Sequence, residues 1–192
     1  YEELVLLHKI GTNMKVTESD ADFLQMACDN LTDIVQVEGI AILLDKFVND
    51  EQQLVLAAGS GLIDIDKSMK YSLRKRLRDE LNKNKEALLD SEIETPFKYE
   101  WPENIKSIIA VPLLGKDKSV SDELEDDKNI IGVMVAINRV DKPDFDSTDI
   151  KLFNSVANGC AVFVENGKLF NELKELFIGS LKALTNSIDA KD

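Results

Sequence analysis

The chain has 192 residues, 44% of them hydrophobic and 31% charged, which is enough for one domain with a buried core and additional connecting helices. Its formal net charge of −13 argues against nucleic acid and anionic membranes as partners, because proteins that bind either are normally basic. The longest apolar runs, 108–114 and 130–137, are far shorter than the ~20 residues of a membrane-spanning helix, so no membrane association of this fragment is expected.

The two cysteines, Cys28 and Cys160, lie far apart on apolar, periodic stretches. Their number excludes a disulfide framework and a CxxC metal site. Since free cysteine packs as a small hydrophobic residue, we expect two buried thiols and a cytoplasmic location. Tyr1 stands where an initiator methionine would be, and helical spacing begins at once, so the sequence is expected to be a piece of a longer protein.

The first part of the chain predicts two helices. An apolar stripe through Leu4 and Met14 predicts an N-terminal helix over residues 1–15, which we interpret as a signalling and dimerisation helix. A second amphipathic helix is predicted over 20–36, with Thr17, Ser19 and Asp20 as candidate N-caps.

The middle of the chain alternates between strand and helix patterns. Two short apolar runs, 38–47 and 52–61, flank a turn-rich segment and predict a β-hairpin. Residues 68–84 carry leucines at i, i+4 spacing and predict a helix, and 86–91 predicts a short strand. The segment 94–104 contains two prolines and three aromatic residues, which is typical of a loop.

Two strong strands, 107–114 and 130–139, follow, with an acidic, polar connection between them. From Ser147 onward the pattern is helical to the end of the chain. The resulting order predicts an α+β fold, in which an antiparallel sheet is flanked by helices and long helices stand at both termini.

The last helix carries a seven-residue repeat of apolar side chains. The side chains of this repeat that we assign to an interface helix are Phe163, Phe170, Leu173, Phe177 and Leu184. Because such a repeat outlasts the needs of one globular core, it predicts a coiled-coil or helical-bundle interface and therefore a homodimer.

Three segments together resemble the second half of a GAF domain: "SIIAVPLL" (107–114), "IIGVMVAINR" (130–139) and the stretch 145–173. Asn138-Arg139 followed by Phe145 and Asp149 is similar to the Asn-Lys…Phe-xxx-Asp-Glu pattern of GAF domains in cyclic-nucleotide phosphodiesterases and cyclases. Arg139 replaces the usual lysine here, and Ile150 stands where the glutamate would be. The first half of the chain matches mostly by the order of its elements.

The four residues of this pattern are interpreted as a structural clamp. Arg139 at a strand end can pair with Asp149 in the first helical turn, where a carboxylate also favours the helix N-terminus. Phe145 is expected to act as an apolar plug, and Asn138 belongs to the same clamp. Direct contact with a ligand is the second interpretation of Arg139 and Asp149.

The resemblance divides the chain into three parts: an N-terminal helix over 1–15, a GAF domain over 16–165 and a linker helix over 166–192. The last twelve residues, 181–192, also resemble the opening of an HD-GYP output domain, which would make the parent protein a regulated cyclic-di-GMP phosphodiesterase and metal-dependent phosphohydrolase.

In GAF domains, ligands lie between the sheet and the helices and loops that cover it. By this resemblance, Arg74 and Arg78 on the 68–84 helix are candidates to bind a phosphate or carboxylate. The aromatic residues Phe97, Tyr99 and Trp101 of the following loop are candidates to stack on a planar ligand. The alternatives stay open: the arginines can form a solvated face, and the aromatics can close the edge of the domain.

No catalytic constellation is visible in the sequence. His8 is the one histidine, so a Ser-His-Asp triad or a histidine-rich metal site cannot be built. Together with this, the resemblance to GAF domains implies a non-enzymatic sensory domain without a certain cofactor. It implies a domain that binds a small molecule, with a cyclic nucleotide as the leading candidate, and that relays the signal through a dimeric helix to an output domain. The alternative is a ligand-free dimerisation and scaffold module.

Overall fold

The computed structural model describes residues 20–93, 96–116 and 129–191. Its first elements are helix α1 (Asp20–Ile34), strand β1 (Val37–Val48), strand β2 (Glu51–Gly61) and helix α2 (Lys67–Asn82). The remaining elements are β3 (Leu88–Ser91), β4 (Ser107–Leu114), β5 (Ile130–Arg139) and helix α3 (Ser147–Lys191). The predicted helix over 1–15, with His8, lies outside the described residues, as do residues 117–128 of the acidic connection.

The strands form one sheet in the order β2-β1-β5-β4-β3, and all neighbouring pairs are antiparallel. This confirms the predicted α+β fold. The strongly apolar β4 and β5 lie inside the sheet, whereas the shorter β3 lies at its edge. The hairpin of β1 and β2 ends at Gly61, whose φ of +78° and contact with the Glu38 carbonyl leave no room for a side chain.

Helices cover both faces of the sheet, which explains why the central strands are apolar at nearly every position. On the first face, α1 and the first part of α3 pack over a row formed by Ile42, Met134 and Val111 of three adjacent strands. Cys28 and Cys160 lie buried in this core as free thiols.

The second face is covered by α2 and by the segment that follows β3. The leucines at positions 73 and 77 are fully buried against a sheet row that runs through Ala41, Val135, Ala110 and Leu88. Helix α2 starts where the Asp66 carboxylate accepts a hydrogen bond from the Met69 amide at 2.8 Å. The residues expected to surround a ligand therefore lie on this face.

Within the described ranges, no helix combines the length and apolarity required to cross a bilayer. The same residues contain no group of three or more histidine, cysteine, aspartate or glutamate side chains arranged to hold a metal ion.

Candidate functional site

The junction between β5 and α3 holds a buried ion pair. Arg139 Nη1 donates to Asp149 Oδ1 at 2.7 Å, and the two side chains are only 5% and 4% exposed. Arg139 Nε also donates to Asp141 Oδ1 at 2.8 Å at the surface. The pair joins the end of the central strand β5 to the first turn of α3.

Asp149 has a second role in the same turn. Its Oδ2 accepts a hydrogen bond from the Asp146 amide, and Asp146 Oδ1 accepts one from the Asp149 amide, both at 3.0 Å. This reciprocal pair is a capping box that satisfies two backbone donors at the helix start. One carboxylate thus fixes both where α3 begins and how it is tied to β5.

Asn138 has a left-handed backbone (φ 59°), which asparagine tolerates better than most residues, and its side chain is buried. Its Oδ1 accepts hydrogen bonds from the amides of Lys106 and Ser107 at 2.6 and 3.2 Å. Its Nδ2 donates to Glu38 and to the Asn104 carbonyl, both at 2.7 Å. Asn138 therefore ties the start of β4, the start of β1 and the end of β5 together.

Phe145 completes the group of four clamp residues that the sequence singled out. Its ring is buried and meets the ring of Phe153 edge-on, with the centroids 6.2 Å apart. The structure brings Asn138, Arg139, Phe145 and Asp149 together around one junction between strand and helix, and their polar side chains hydrogen-bond to neighbouring residues of the chain itself.

The aromatic candidates lie over the second face of the sheet. Phe97, Tyr99 and Trp101 are half-buried and pack against the core under α2. Trp101 Nε1 donates to Asp90 Oδ2 at 2.8 Å, and the Tyr99 hydroxyl donates to Glu80 Oε1 at 2.9 Å. The polar atoms that would orient a ligand are therefore already used within the protein.

A cation also occupies the faces of these rings. The Arg76 guanidinium lies 4.4 Å from the centroid of Trp101 and 5.0 Å from that of Tyr99, and it donates to the Glu100 carbonyl at 2.6 Å. A planar ligand that stacked on Trp101 would have to displace Arg76.

Glu80 is the electrostatic centre of this region and is only 3% exposed. Burial alone would raise its pKa, but hydrogen bonds from Lys98, Tyr99 and Lys85 outweigh burial and lower the pKa from an ordinary 4.5 to about 2. Burial and Glu80 together raise the pKa of the Tyr99 hydroxyl. Glu80 stays ionised and holds the loop against α2.

The sequence analysis did not predict that Glu80, Asp90 and Arg76 hold the aromatic segment in place. A signal existed for Glu80, because it continues the buried face of α2 three residues after Leu77, where an apolar residue is expected. Asp90 lies among leucines in β3 and accepts from the amides of residues 98 and 99 as well as from Trp101. Nothing in the sequence around Glu80 or Asp90 indicates which residues their carboxylates contact.

Arg74 lies apart from these aromatics. Its Nη1 donates to Asp45 Oδ1 of β1 at 2.7 Å, and it lines a groove whose walls do not include residues 97, 99 or 101. Burial raises the pKa of Asp45, although Arg74 and Arg78 both act to lower it. Arg78 follows one turn later on the same helix and is half-buried. The structure therefore separates the arginine and aromatic candidates.

The repeat on α3 divides into a buried and an exposed part. Phe163 is half-buried and stacks on Phe23 of α1 with ring centroids 3.8 Å apart, so it packs within its own chain. The other four positions are highly exposed: Phe170 66%, Leu173 65%, Phe177 65% and Leu184 62%. We call these four residues the α3 seam.

The chain matches the protein-family model of the GAF domain over residues 21–164. Among solved structures, it is similar to the GAF domain of a phosphoenolpyruvate-protein phosphotransferase from Coxiella burnetii, with 12% identity and a TM-score of 0.61 over 89% of this chain and 97% of that one. The corresponding GAF domain from Acinetobacter gives 17% identity and a TM-score of 0.56, over 87% and 95% of the two chains.

A third similar structure is a segment of a methyl-accepting chemotaxis protein, with 15% identity and a TM-score of 0.53 over 88% of this chain and 98% of that one. At these identities the structural likeness shows the fold alone. No curated protein sequence matches the chain significantly.

Proposed function

The chain belongs to the GAF family of regulatory sensor domains, and from this premise we propose that it controls an output domain through a homodimer formed by α3. GAF domains are generally regulatory and not catalytic, in line with the non-enzymatic role proposed for this chain. The observation that carries the proposal is the α3 seam, four large apolar side chains that are each more than 60% exposed.

The position of the seam supports a relay. The first part of α3 is buried in the core of the domain, and the same helix continues without a break to Lys191. Monomeric proteins rarely leave a contiguous apolar stripe in water, and seven-residue spacing fits a parallel partner helix. A second copy of this chain offers the same stripe in the same register.

Cysteine cross-linking tests the dimer directly. Ser180 lies on the seam face of α3 and Glu175 on the opposite face, and both are exposed. Burial raises the pKa of Cys28 and Cys160 to about 12, so these native thiols should form few disulfide cross-links of their own in this assay. Mild oxidation should link Ser180→Cys chains into covalent dimers but leave the matched control Glu175→Cys largely unlinked. Equal linking of the two variants, or a monomeric wild type in sedimentation equilibrium, would contradict the proposal.

The input of the sensor is proposed to be a small molecule. Cyclic AMP and cyclic GMP are the first ligands to titrate, because the Asn138-Arg139…Phe145…Asp149 pattern resembles that of GAF domains in cyclic-nucleotide phosphodiesterases. Saturable heat in calorimetry together with a raised melting temperature would support a nucleotide sensor, since a ligand that binds the native state stabilises it.

A ligand-free scaffold is the second candidate function, and one observation favours it. Tyr99 and Trp101 pack against the core under α2 and already have hydrogen-bond partners and a stacked guanidinium. Absence of heat and of any melting shift with either nucleotide, in a chain that still dimerises, would favour the scaffold.

The output domain that we propose is of the HD-GYP type, on the resemblance of residues 181–192 to the opening of such a domain. Hydrolysis of cyclic di-GMP by the full-length protein would support this assignment. A full-length protein whose next domain lacks the metal-binding histidine and aspartate motifs would remove it.

A further inference from the structure

Strand β2 forms one edge of the sheet and lacks the usual protection of an edge strand. Among the described strands its one neighbour is β1, so one row of its backbone N–H and C=O groups points away from the sheet. Proteins normally protect such an edge by keeping it short or by placing lysine or proline on it. The other edge strand, β3, has only four residues. Strand β2 has 11 residues, and its segment 52–61 contains neither a charged residue nor a proline.

The composition of β2 also favours pairing with another strand. Residues 52–58 (QQLVLAA) combine apolar side chains with zero charge, which is typical of segments that pair with copies of themselves. Leu56, in the middle of the strand, is 58% exposed. A bulge at Ala57 interrupts the ladder with β1 and bends this edge. A bulge does not itself cover the outward backbone groups, so the edge needs a further block.

Gln25 of helix α1 binds the backbone of this edge. Its Nε2 donates to the Gly59 carbonyl at 2.9 Å, and its Oε1 accepts from the Gly59 amide at 3.1 Å. Paired residues of neighbouring antiparallel strands exchange the same two hydrogen bonds. Nε2 also donates to Asp29 Oδ1 at 3.0 Å, one turn later on α1, so both hydrogens of the side-chain amide have acceptors. The Gln25 side chain thus takes the place that a residue of an added strand would occupy.

A contribution to folding alone explains this contact less well. Gly59 is only half-buried, so its backbone groups could bond to water if Gln25 were absent. A hydrogen bond that replaces one to water contributes little net stability. Occupation of the edge has a larger consequence, because a second strand cannot continue its ladder past a residue whose amide and carbonyl are both already bonded.

We propose that Gln25 closes the edge of β2 against a second copy of this chain. A copy fits this edge because it presents the same uncharged segment, and two β2 strands can pair antiparallel about a twofold axis. Such a pair would join two five-stranded sheets into one. The contact would use β2 and not α3, so the inference goes beyond the proposed homodimer. A chain that made both contacts would assemble into species larger than a dimer.

Two measurements on the whole chain test the proposal with the variant Gln25→Ala. The substitution removes both bonds to Gly59, and the fold should be retained because alanine favours a helix. Hydrogen exchange of the Gly59 amide should become about fivefold faster, the factor expected for the loss of one net hydrogen bond. In sedimentation velocity, the variant should form larger species than the wild type as its concentration rises, because two opened edges can pair.

The matched control is Asn30→Ala, which truncates another half-buried amide of α1. The Asn30 side chain donates to the Met26 carbonyl at 2.9 Å, so its bond stays within the helix, and its loss should leave both measurements as in the wild type. A second variant distinguishes edge pairing from general unfolding. Adding Leu56→Lys to Gln25→Ala should reverse the association, since a lysine at an exposed position of an edge strand opposes pairing.

The inference would be overturned by an unchanged exchange rate at Gly59, by equal sizes of Gln25→Ala and the wild type at all concentrations, or by equal association of Asn30→Ala. Association that Leu56→Lys does not reverse would overturn it as well. The same runs separate this outcome from failure of the proposed function. A dimeric wild type whose Gln25→Ala variant grows no larger refutes the edge assignment alone, whereas a monomeric wild type whose variant associates refutes the α3 dimer alone.

Discussion

The substitution Asp149→Ala tests the buried ion pair at the start of α3. It would leave the 5%-exposed Arg139 side chain without the carboxylate that lies 2.7 Å from its Nη1. Removal of one partner of a buried pair costs about 3–5 kcal/mol, because the remaining charge stays desolvated. The substitution also opens the capping box with Asp146, while Asp141 keeps its bond to Arg139 Nε and offsets part of the loss. We expect the free energy of unfolding to fall by about 3–5 kcal/mol.

Urea denaturation followed by the fluorescence of Trp101, the single tryptophan, measures this loss. The matched control is Lys142→Ala, which breaks the exposed Lys142–Asp146 pair (3.1 Å) near the same turn and should cost less than about 1 kcal/mol. Equal losses in the two variants would refute the argument from burial. The double variant Arg139→Met/Asp149→Leu should recover part of the stability, since it leaves no unpaired charge in the buried site, although the capping box stays open and the exposed Asp141 loses its bond to Arg139.

Three further predictions concern other parts of the core. Because the pKa of Glu80 is lowered to about 2, its charge stabilises the fold above about pH 4.5 and this contribution is lost as the pH falls towards 2. Thermal melts of Glu80→Gln should therefore depend less on pH between 5 and 2, and an unchanged dependence would contradict this. Asn138→Ala should cost about 2–4 kcal/mol in urea unfolding, because it loses the four hydrogen bonds of this side chain and places alanine at a positive φ. Asn138→Gly loses the same four bonds but tolerates the positive φ, so it should cost less than Asn138→Ala. Cys28 and Cys160 should react with a disulfide reagent far more slowly in the native chain than in urea, and fast native reaction would refute their burial.

The sequence predicts the strands of the sheet well because their pattern is local. The bounds predicted for β4 and β5 agree with the structure, since both are apolar runs, β4 ending before Gly115 and β5 at Asn138-Arg139, and both faces of the sheet are covered. The helix predicted over 68–84 begins one residue earlier, after the Asp66 cap, and ends two residues earlier, at Asn82. Such small shifts at helix ends depend on side-chain caps that composition alone does not fix.

The orientation of the aromatic side chains in the loop after β3 cannot be predicted from a local pattern. Whether Tyr99 and Trp101 face a ligand or the protein depends on Glu80 and Asp90, which lie 19 and 11 residues away along the chain. The seven-residue repeat likewise continues unchanged from Phe163 to Phe170. Within the described ranges, however, Phe163 stacks on Phe23 of a distant helix, whereas Phe170 is 66% exposed. In both cases contacts between residues far apart along the chain decide the outcome, and a single sequence does not reveal such contacts.

The geometry of α3 restricts how a signal could leave the domain. The helix is fixed at its start by the Arg139–Asp149 pair and the capping box, and it is held further along by the Phe23–Phe163 stack. A start that is tied in two ways resists unwinding, so under the proposed relay a change in the core would tilt or rotate the whole helix. Since the α3 seam begins only seven residues after Phe163, such a motion would change how two seams meet in the proposed homodimer. A ligand that favours one arrangement by about 1.4 kcal/mol shifts the balance between the two tenfold. In the proposed relay the clamp and the seam would have separate tasks: the clamp would keep the helix rigid, and the seam would respond to its orientation.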